Sequence, residues 1–396
     1  MLLRFRVKKS SIILMLYVFS MFIPGYFSNQ IMKLVSNVMM VVVVMYLFSV
    51  KYKPSRFMII TSLYFWYLIA ITFINHNSTA DIHLIISNLK IISMLCIIEY
   101  LLKKNPYSTI NVMFFILSTF VLIDFASIVL FPNGLYHIKQ VWNEWSSSQE
   151  AYWIYGNKNN RIYWYIMLLI IAWLRYYIFR NKSKLSIVVL SGITIAAMMM
   201  VKSSTATIVA VIAGCGFFYL TFKKKTKINL NSYVILAGYG CMTILILLGS
   251  ASLLKPFVEG VLHKDLTFTG RNVAWERVLL LIAVKPIFGW GVLDNTTATG
   301  LLDNIAFVNP HNQLLNTFWQ GGIILVCILS VLMIHIATNI NKNENKIQKV
   351  GVQLIWLGLL IDMIFEVLLG TGATWICLLL ISNLHELICK HRFDIE

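Results

Sequence analysis

Charge is scarce in this chain, and acid scarcer than base. Only 12% of the 396 residues are charged, with 16 Asp and Glu against 33 Lys and Arg. An ordinary soluble domain carries about twice that share. Prolines number seven, so long stretches run without a helix breaker. The six cysteines, Cys96, Cys215, Cys241, Cys327, Cys377 and Cys389, lie in apolar segments without ligand spacing, which indicates neither disulfides nor a metal site. Also missing are a nucleophile elbow, a phosphate-loop glycine motif, paired carboxylates at catalytic spacing and a metal-ligand cluster. No cofactor is expected. The two halves show no repeat, which weakens an inverted-repeat transporter reading.

What the chain does have is hydrophobicity. Apolar residues make up 59%, and apolar runs of about 20 residues recur from end to end. The composition predicts an all-α, polytopic membrane protein, a single integral domain over 1–396. A net charge of +17 could suggest nucleic acid, but the basic residues sit in short clusters between apolar runs. That is the positive-inside signature, so membrane lipids are expected as partners and nucleic acid is not.

Hydropathy predicts about twelve spans, at roughly 11–27, 31–50, 57–75, 82–102, 109–131, 162–180, 185–201, 204–222, 231–253, 311–338, 350–369 and 372–389. Arg4, Arg6, Lys8 and Lys9 precede the first. A basic start and a short apolar core also suit a signal peptide, but no small-residue cleavage site follows, and losing this span would spoil the alternation. Clusters at Lys51–Arg56, Lys103–Lys104, Arg180–Lys184, Lys223–Lys227, Lys342–Lys349 and Lys390–Arg392 mark the cytoplasmic side, with both termini there. Two long loops fall outside. Loop 132–161 carries Tyr136, Trp142, Trp145, Tyr152, Trp153 and Tyr155 and is expected to lie along the outer interface. Loop 254–310 joins spans nine and ten.

The stretch Phe268–Asn312 is the most informative. Trp275, Val278 and Ile282 recur at helical spacing until Pro286 stops the pattern. Arg271 begins that stripe, where free helix N–H groups and a planar guanidinium could grip a phosphate. Asn309 is a good N-cap and Pro310 suits a first helical position, which puts His311 in a first turn. The helix dipole there would keep the imidazole neutral, as a general base requires. Structural readings stand beside these: Arg271 as a snorkelling cation, His311 as a cap.

Lys90, Glu99, Asp124, Arg175, Asp362 and Glu366 fall inside expected spans and should face protein or a watery cavity. Asp362 and Glu366 share one helix face. They could pair with a neighbouring Lys or Arg, or Glu366 could line a cavity on the side of the long loops. The turn cluster Tyr155–Arg161 reads either as a polar loop capped at Asn160 or as amides and Arg161 holding a sugar or phosphate. The turn Lys202-Ser203-Ser204-Thr205 is open to the same two readings. The inventory of cations, amides and a possible base in a membrane bundle suits an anionic, lipid-linked substrate at the outer leaflet.

In their order these motifs resemble the bacterial O-antigen polymerase and ligase superfamily. Gly156-Asn157-Lys158-Asn159-Asn160 looks like its Gly-Asn-x-Asn element. Gly270-Arg271, Trp275, Pro286, Gly289 and Gly291 match its Gly-Arg helix and Pro-x-x-Gly-x-Gly ending. His311-Asn312 with Gly321, and then Glu366, are similar to its later elements. The likeness runs from about 150 to the C-terminus. Two departures stand out. Ser203-Ser204 replaces the family's Ser-Arg, with Lys202 or Arg161 as candidate substitutes. Gly321-Gly322 replaces the ligases' spaced glycines, which favours a polymerase.

The resemblance implies metal-independent glycosyl transfer outside the bacterial cell membrane, with repeat units delivered on undecaprenyl diphosphate. It casts Arg271 as the stabiliser of the departing diphosphate and His311 as the base. Arg161, Asn160, Lys202, Asn312 and Glu366 become substrate-binding candidates. The expected activity is polymerisation of a capsule, exopolysaccharide or O-antigen, with a flippase and a chain-length regulator as partners. The rival readings are a ligase onto another acceptor and a transporter.

Overall fold

The computed structural model describes residues 17, 20, 22–75, 80–143, 146–178, 184–223, 225–228, 230–247, 271–303 and 307–392. Within these, α1 is Gln30–Ser49, α2 Arg56–Asn75, α3 Ala80–Lys104 and α4 Pro106–Leu130. A hairpin of β1 (Tyr136–Asn143) and β2 (Ser146–Tyr152) follows. Then come α5 (Ile162–Ile178), α6 (Leu185–Met200), α7 (Ser204–Phe222), α8 (Ser232–Leu247), α9 (Arg271–Val284), α10 (Asn295–Leu302), α11 (Gln313–Asn341), α12 (Lys346–Phe365) and α13 (Gly372–Arg392).

Seven of these helices, α1 to α4, α7, α11 and α12, are long and apolar enough to cross a membrane, and α5, α6, α8 and α13 are shorter apolar helices. An apolar helix suits lipid because it satisfies its own backbone hydrogen bonds. Each expected span from the second to the twelfth meets one of these helices, while the expected first span lies largely outside the described residues. The helix starts are chemically marked. Asn29 and Asn345 accept hydrogen bonds from first-turn amides, and Pro106 opens α4.

Packing grades the helices. The apolar stretch of α12 is 78% buried and that of α1 only 17%, so α12 runs through the bundle and α1 along its rim. Trp173, Trp356 and Trp375 are among the largest fully enclosed side chains. Trp173 stacks on Phe217 at 4.8 Å and lies on Gly351, where a Cβ would come within 2.4 Å of the indole nitrogen. In-span charges meet partners as expected. Glu99 takes Lys103 at 3.1 Å and the Tyr52 hydroxyl, and Arg175 takes the Asn111 side-chain oxygen at 2.6 Å. Asp362 differs. It is buried, and among the described residues it makes no ion pair of its own; the neighbouring cation, Arg271, bonds Glu366 instead.

Loop 132–161 departs from a plain interfacial segment. Residues Tyr136 to Tyr152 form an antiparallel hairpin with Tyr136 opposite Tyr152. Alternation through Tyr-His-Ile-Lys-Gln-Val gives a strand two faces, and pairing satisfies the backbone.

A second apolar cluster caps the end of the bundle. Trp275, Val278 and Ile282 of α9 bury, as their spacing predicts, against Leu302, Phe307, Leu315 and Trp319. The cap joins the bundle at a break in α11, where Gly322 has φ 62° and ψ −166°. Five backbone groups around the break find partners on the 286–291 turn and α2. Trp290 and Gly291 N–H donate to the carbonyls of Trp319 and Gln320 at 2.9 and 2.8 Å, and the Tyr67 hydroxyl donates to that of Gly321 at 3.0 Å. Ile323 and Ile324 N–H donate to the carbonyls of Pro286 and Ile287 at 2.9 and 3.5 Å. This accounts for the Pro-x-x-Gly-x-Gly ending. Gly289 and Gly291 have positive φ, and a Cβ on them would meet the backbone of Gly322 at 2.5 Å and of Thr72 at 2.7 Å.

Gly322→Ala should therefore destabilise the protein, since its Cβ would lie 2.1 Å from the Ile287 oxygen in a backbone conformation open to glycine. The strain alone costs roughly 1–3 kcal/mol. Thermal unfolding in detergent checks this, with Gly300→Ala as the control because nothing lies within 4 Å of its added methyl. Equal melting of the two variants would show that the break tolerates a side chain.

Candidate functional site

Four chain segments meet at the carboxylate of Glu366, the residue just beyond the end of α12. Arg271, first residue of α9, donates from Nη2 to Oε1 at 2.8 Å and from Nη1 to the Phe365 carbonyl at 2.7 Å. It thus fills one orphan acceptor at the C-terminus of α12 while neutralising the carboxylate. His311 meets the other oxygen, Nδ1 to Oε2, at 2.9 Å. Asn159 donates its amide to Oε1 at 2.9 Å, and Ser203 donates to the Asn159 oxygen at 3.1 Å.

Local chemistry sets each side chain. Asn157 accepts from the backbone N–H of Asn159 and Asn160 at 3.2 and 3.1 Å, a small turn that presents Asn159. The helix start near His311 is not where the sequence suggests. Asn312 caps α11 by accepting from Leu315 N–H at 2.9 Å, and the helix begins at Gln313. His311 stands before it with φ 46°, held by its N–H to the Asn309 side chain at 2.9 Å and by Trp275, which donates to the Pro310 carbonyl at 2.7 Å. Asn309 thus fixes a turn instead of opening a helix. The ring is oriented by Glu366 and by the edge of Phe307, with centroids 5.6 Å apart, not by a first-turn dipole.

The group is half open. Side-chain exposure is 16% for Arg271, 15% for Glu366 and 27% for His311. Burial alone would raise the Glu366 carboxyl, but the hydrogen bond and charge of His311, joined by Arg271, outweigh it and hold the group below the usual carboxylate range. An ionised Glu366 keeps its proton acceptor turned to His311 Nδ1–H, which leaves Nε2 as the ring's basic nitrogen. Among the described residues no group of three or more His, Cys, Asp or Glu could hold a metal ion.

The other candidates separate. Arg161 is fully buried. Its guanidinium pairs with Asp124 at 3.4 Å, donates to the Gly156 carbonyl at 2.8 Å and lies over Trp153 at 4.7 Å, so it serves the protein interior and not a substrate. Asn312 is buried too, donating to the Ile364 carbonyl at 2.9 Å beside its capping role. Asn160 is exposed and takes part through its backbone. Lys202 is exposed at φ 55°, in the turn whose next residue, Ser203, reaches Asn159. Asn159 and Ser203 were missed as site residues. The Gly-Asn-x-Asn element marked the right turn, but helix-cap logic picked the neighbouring Asn160.

Arg161→Met should lower membrane abundance and melting temperature, because it strands buried Asp124 at a cost of roughly 3–5 kcal/mol. Asn159→Ala should leave both near wild type. Quantitative blotting and thermal unfolding check this, and a wild-type-like Arg161→Met would show that the buried pair is dispensable.

Comparison with protein-family models matches residues 189–330 to the family described as O-antigen ligase. The matched segment runs from within α6 to within α11 and takes in Arg271 and His311. Comparisons with curated proteins and with solved structures found no match. The match supports O-antigen polymerase or ligase activity in general. By its motifs and by this match over residues 189–330, this helical membrane protein is similar to the O-antigen polymerase and ligase superfamily.

Proposed function

We propose that the chain polymerises oligosaccharide repeat units carried on a lipid diphosphate at the outer face of the bacterial cell membrane. The observation that carries this reading is the shared carboxylate: Arg271 and His311, at opposite ends of one inter-span segment, hold the two oxygens of Glu366. A base and a cation are then fixed side by side in a half-open group. Glycosyl transfer from a diphosphate needs both.

In the reaction, a hydroxyl oxygen of the incoming unit bonds to the anomeric carbon of the carrier-linked chain. The bond from that carbon to the diphosphate oxygen breaks, and the electron pair leaves with the diphosphate. The hydroxyl proton goes to His311 Nε2, with Glu366 stabilising the imidazolium through Nδ1–H. Arg271 has five N–H donors, and those not spent on Glu366 and Phe365 face the charge growing on the leaving group. The exposed Lys202 is a further cation for the carrier, and Asn159 holds Glu366 in place. Product then remains on the incoming unit's carrier. A flippase supplying units and a regulator of chain length would be its partners.

A ligase reading is favoured by the description of the matched family. The Gly321-Gly322 pair, in place of the ligases' spaced glycines, points back to a polymerase. Purified protein with lipid-linked repeat units separates them. A polymerase lengthens chains on carrier alone, and a ligase needs a distinct acceptor. His311→Ala should slow chain growth by roughly 10²–10⁴-fold, as for a lost general base. Arg271→Lys should also fail, because a point charge cannot replace the fork that spans Glu366 and Phe365. Wild-type chain growth by His311→Ala would end its role as base.

A further inference from the structure

The hairpin β1–β2 has no part in the reaction described above, yet it stands at the same end of the bundle. Its second strand leads through Trp153 to the turn that presents Asn159. Trp153 is fixed by its indole N–H to the Phe131 carbonyl at 2.8 Å and by the Arg161 guanidinium over its ring. The hairpin base is thus clamped to the buried Arg161–Asp124 pair.

One face of this hairpin is aromatic. Tyr136 and Tyr152 are cross-strand partners with ring centroids 5.4 Å apart and planes tilted by 39°. Tyr26, from the short 3₁₀ turn Gly25–Phe27 ahead of α1, continues the row at 5.4 Å from Tyr136 and a tilt of 41°. Tyr26 is 47% exposed, and the other two are part-exposed. Strand alternation puts Glu150, opposite Ile138, and Ser148, opposite Gln140, on this same face. Three rings in a row followed by a carboxylate and a hydroxyl form a surface with apolar plates and polar edges. A sugar ring has that same division, with C–H groups on its faces and hydroxyls at its rim. A lipid chain would have no use for the Glu150 side of the face.

We infer that the Tyr26–Tyr136–Tyr152 face of the hairpin is a saccharide-binding platform that holds the oligosaccharide chain beside the Glu366 centre. The inference rests on the polymerase reading for which chain it holds, and not for the binding itself. Sugar rings stack on the tyrosines and hydrogen-bond with Glu150 and Ser148. Holding the chain keeps it from leaving between additions, so the platform lengthens the product.

The test uses the full chain, purified in lipid nanodiscs, and lipid-free surface-polysaccharide fragments a few repeats long from the producing bacterium. Fragments should bind the wild type and His311→Ala alike. Tyr136→Ala and Tyr152→Ala should each weaken binding roughly 2–10-fold, while Tyr136→Phe, which keeps the ring, should retain it. Tyr26→Ala removes a plate without touching the hairpin, so it reports even if the strand variants fold poorly. Tyr107→Ala, at the start of α4 on the opposite end, should change nothing. In the chain-growth assay the three alanine variants should give shorter products. Unchanged fragment binding in Tyr26→Ala and Tyr136→Ala would overturn the platform and leave the rings as membrane-interface residues. Ring-dependent binding in a wild type that grows no chains would instead overturn the polymerase reading and keep the platform.

Discussion

A carboxylate with two cationic or potentially cationic neighbours is the interaction on which this end of the molecule depends. Glu366 ends one helix, Arg271 begins another, and His311 sits in the linker before a third. Without Glu366 these segments would bring positive charge together near an apolar bundle. With it, each oxygen has a partner, and α9 is tied to the end of α12. The arrangement also gives the imidazole a defined tautomer, since Nδ1–H must point at the carboxylate.

The buried charges divide by burial. Asp124 with Arg161 is fully enclosed and holds the 156–161 turn onto α4, while Glu99 is buried beside a part-exposed Lys103 on its own helix. The Glu366 group keeps part of its surface open. Two arginines stand at helix starts, Arg161 just before α5 and Arg271 as the first residue of α9, yet Arg161 is enclosed by Trp153 and Asp124, and Arg271 is not. Openness, not residue type, separates a structural cation from one that can meet a substrate.

The helices were legible because lipid leaves a helix few alternatives, so apolar runs and basic clusters fix their places. The Trp275–Val278–Ile282 stripe was legible because burial of one helix face repeats at helical spacing. The helix start near His311 was misplaced: Asn309, Asn312 and Pro310 all suit a cap, and the choice fell to Trp275 bonding the Pro310 carbonyl from another helix. Asn159 against Asn160 was a one-residue difference decided by how Asn157 folds the turn. Arg161 was misread because its partner Asp124 lies 37 residues earlier, on the preceding helix. The hairpin lay hidden beneath its aromatic composition. Such choices depend on tertiary contacts that local pattern does not contain.

The break in α11 has a consequence for the order in which the protein is made. Its carbonyls at Trp319 and Gln320 and its amides at Ile323 and Ile324 are satisfied by the 286–291 turn, and Gly321 by Tyr67 of α2. All of these partners lie upstream in the chain. Synthesis from the N-terminus therefore makes every one of these partners before the broken helix emerges. The segment carrying His311 lies between these partners and the break, so it is made after the groups that satisfy the backbone of α11 from upstream.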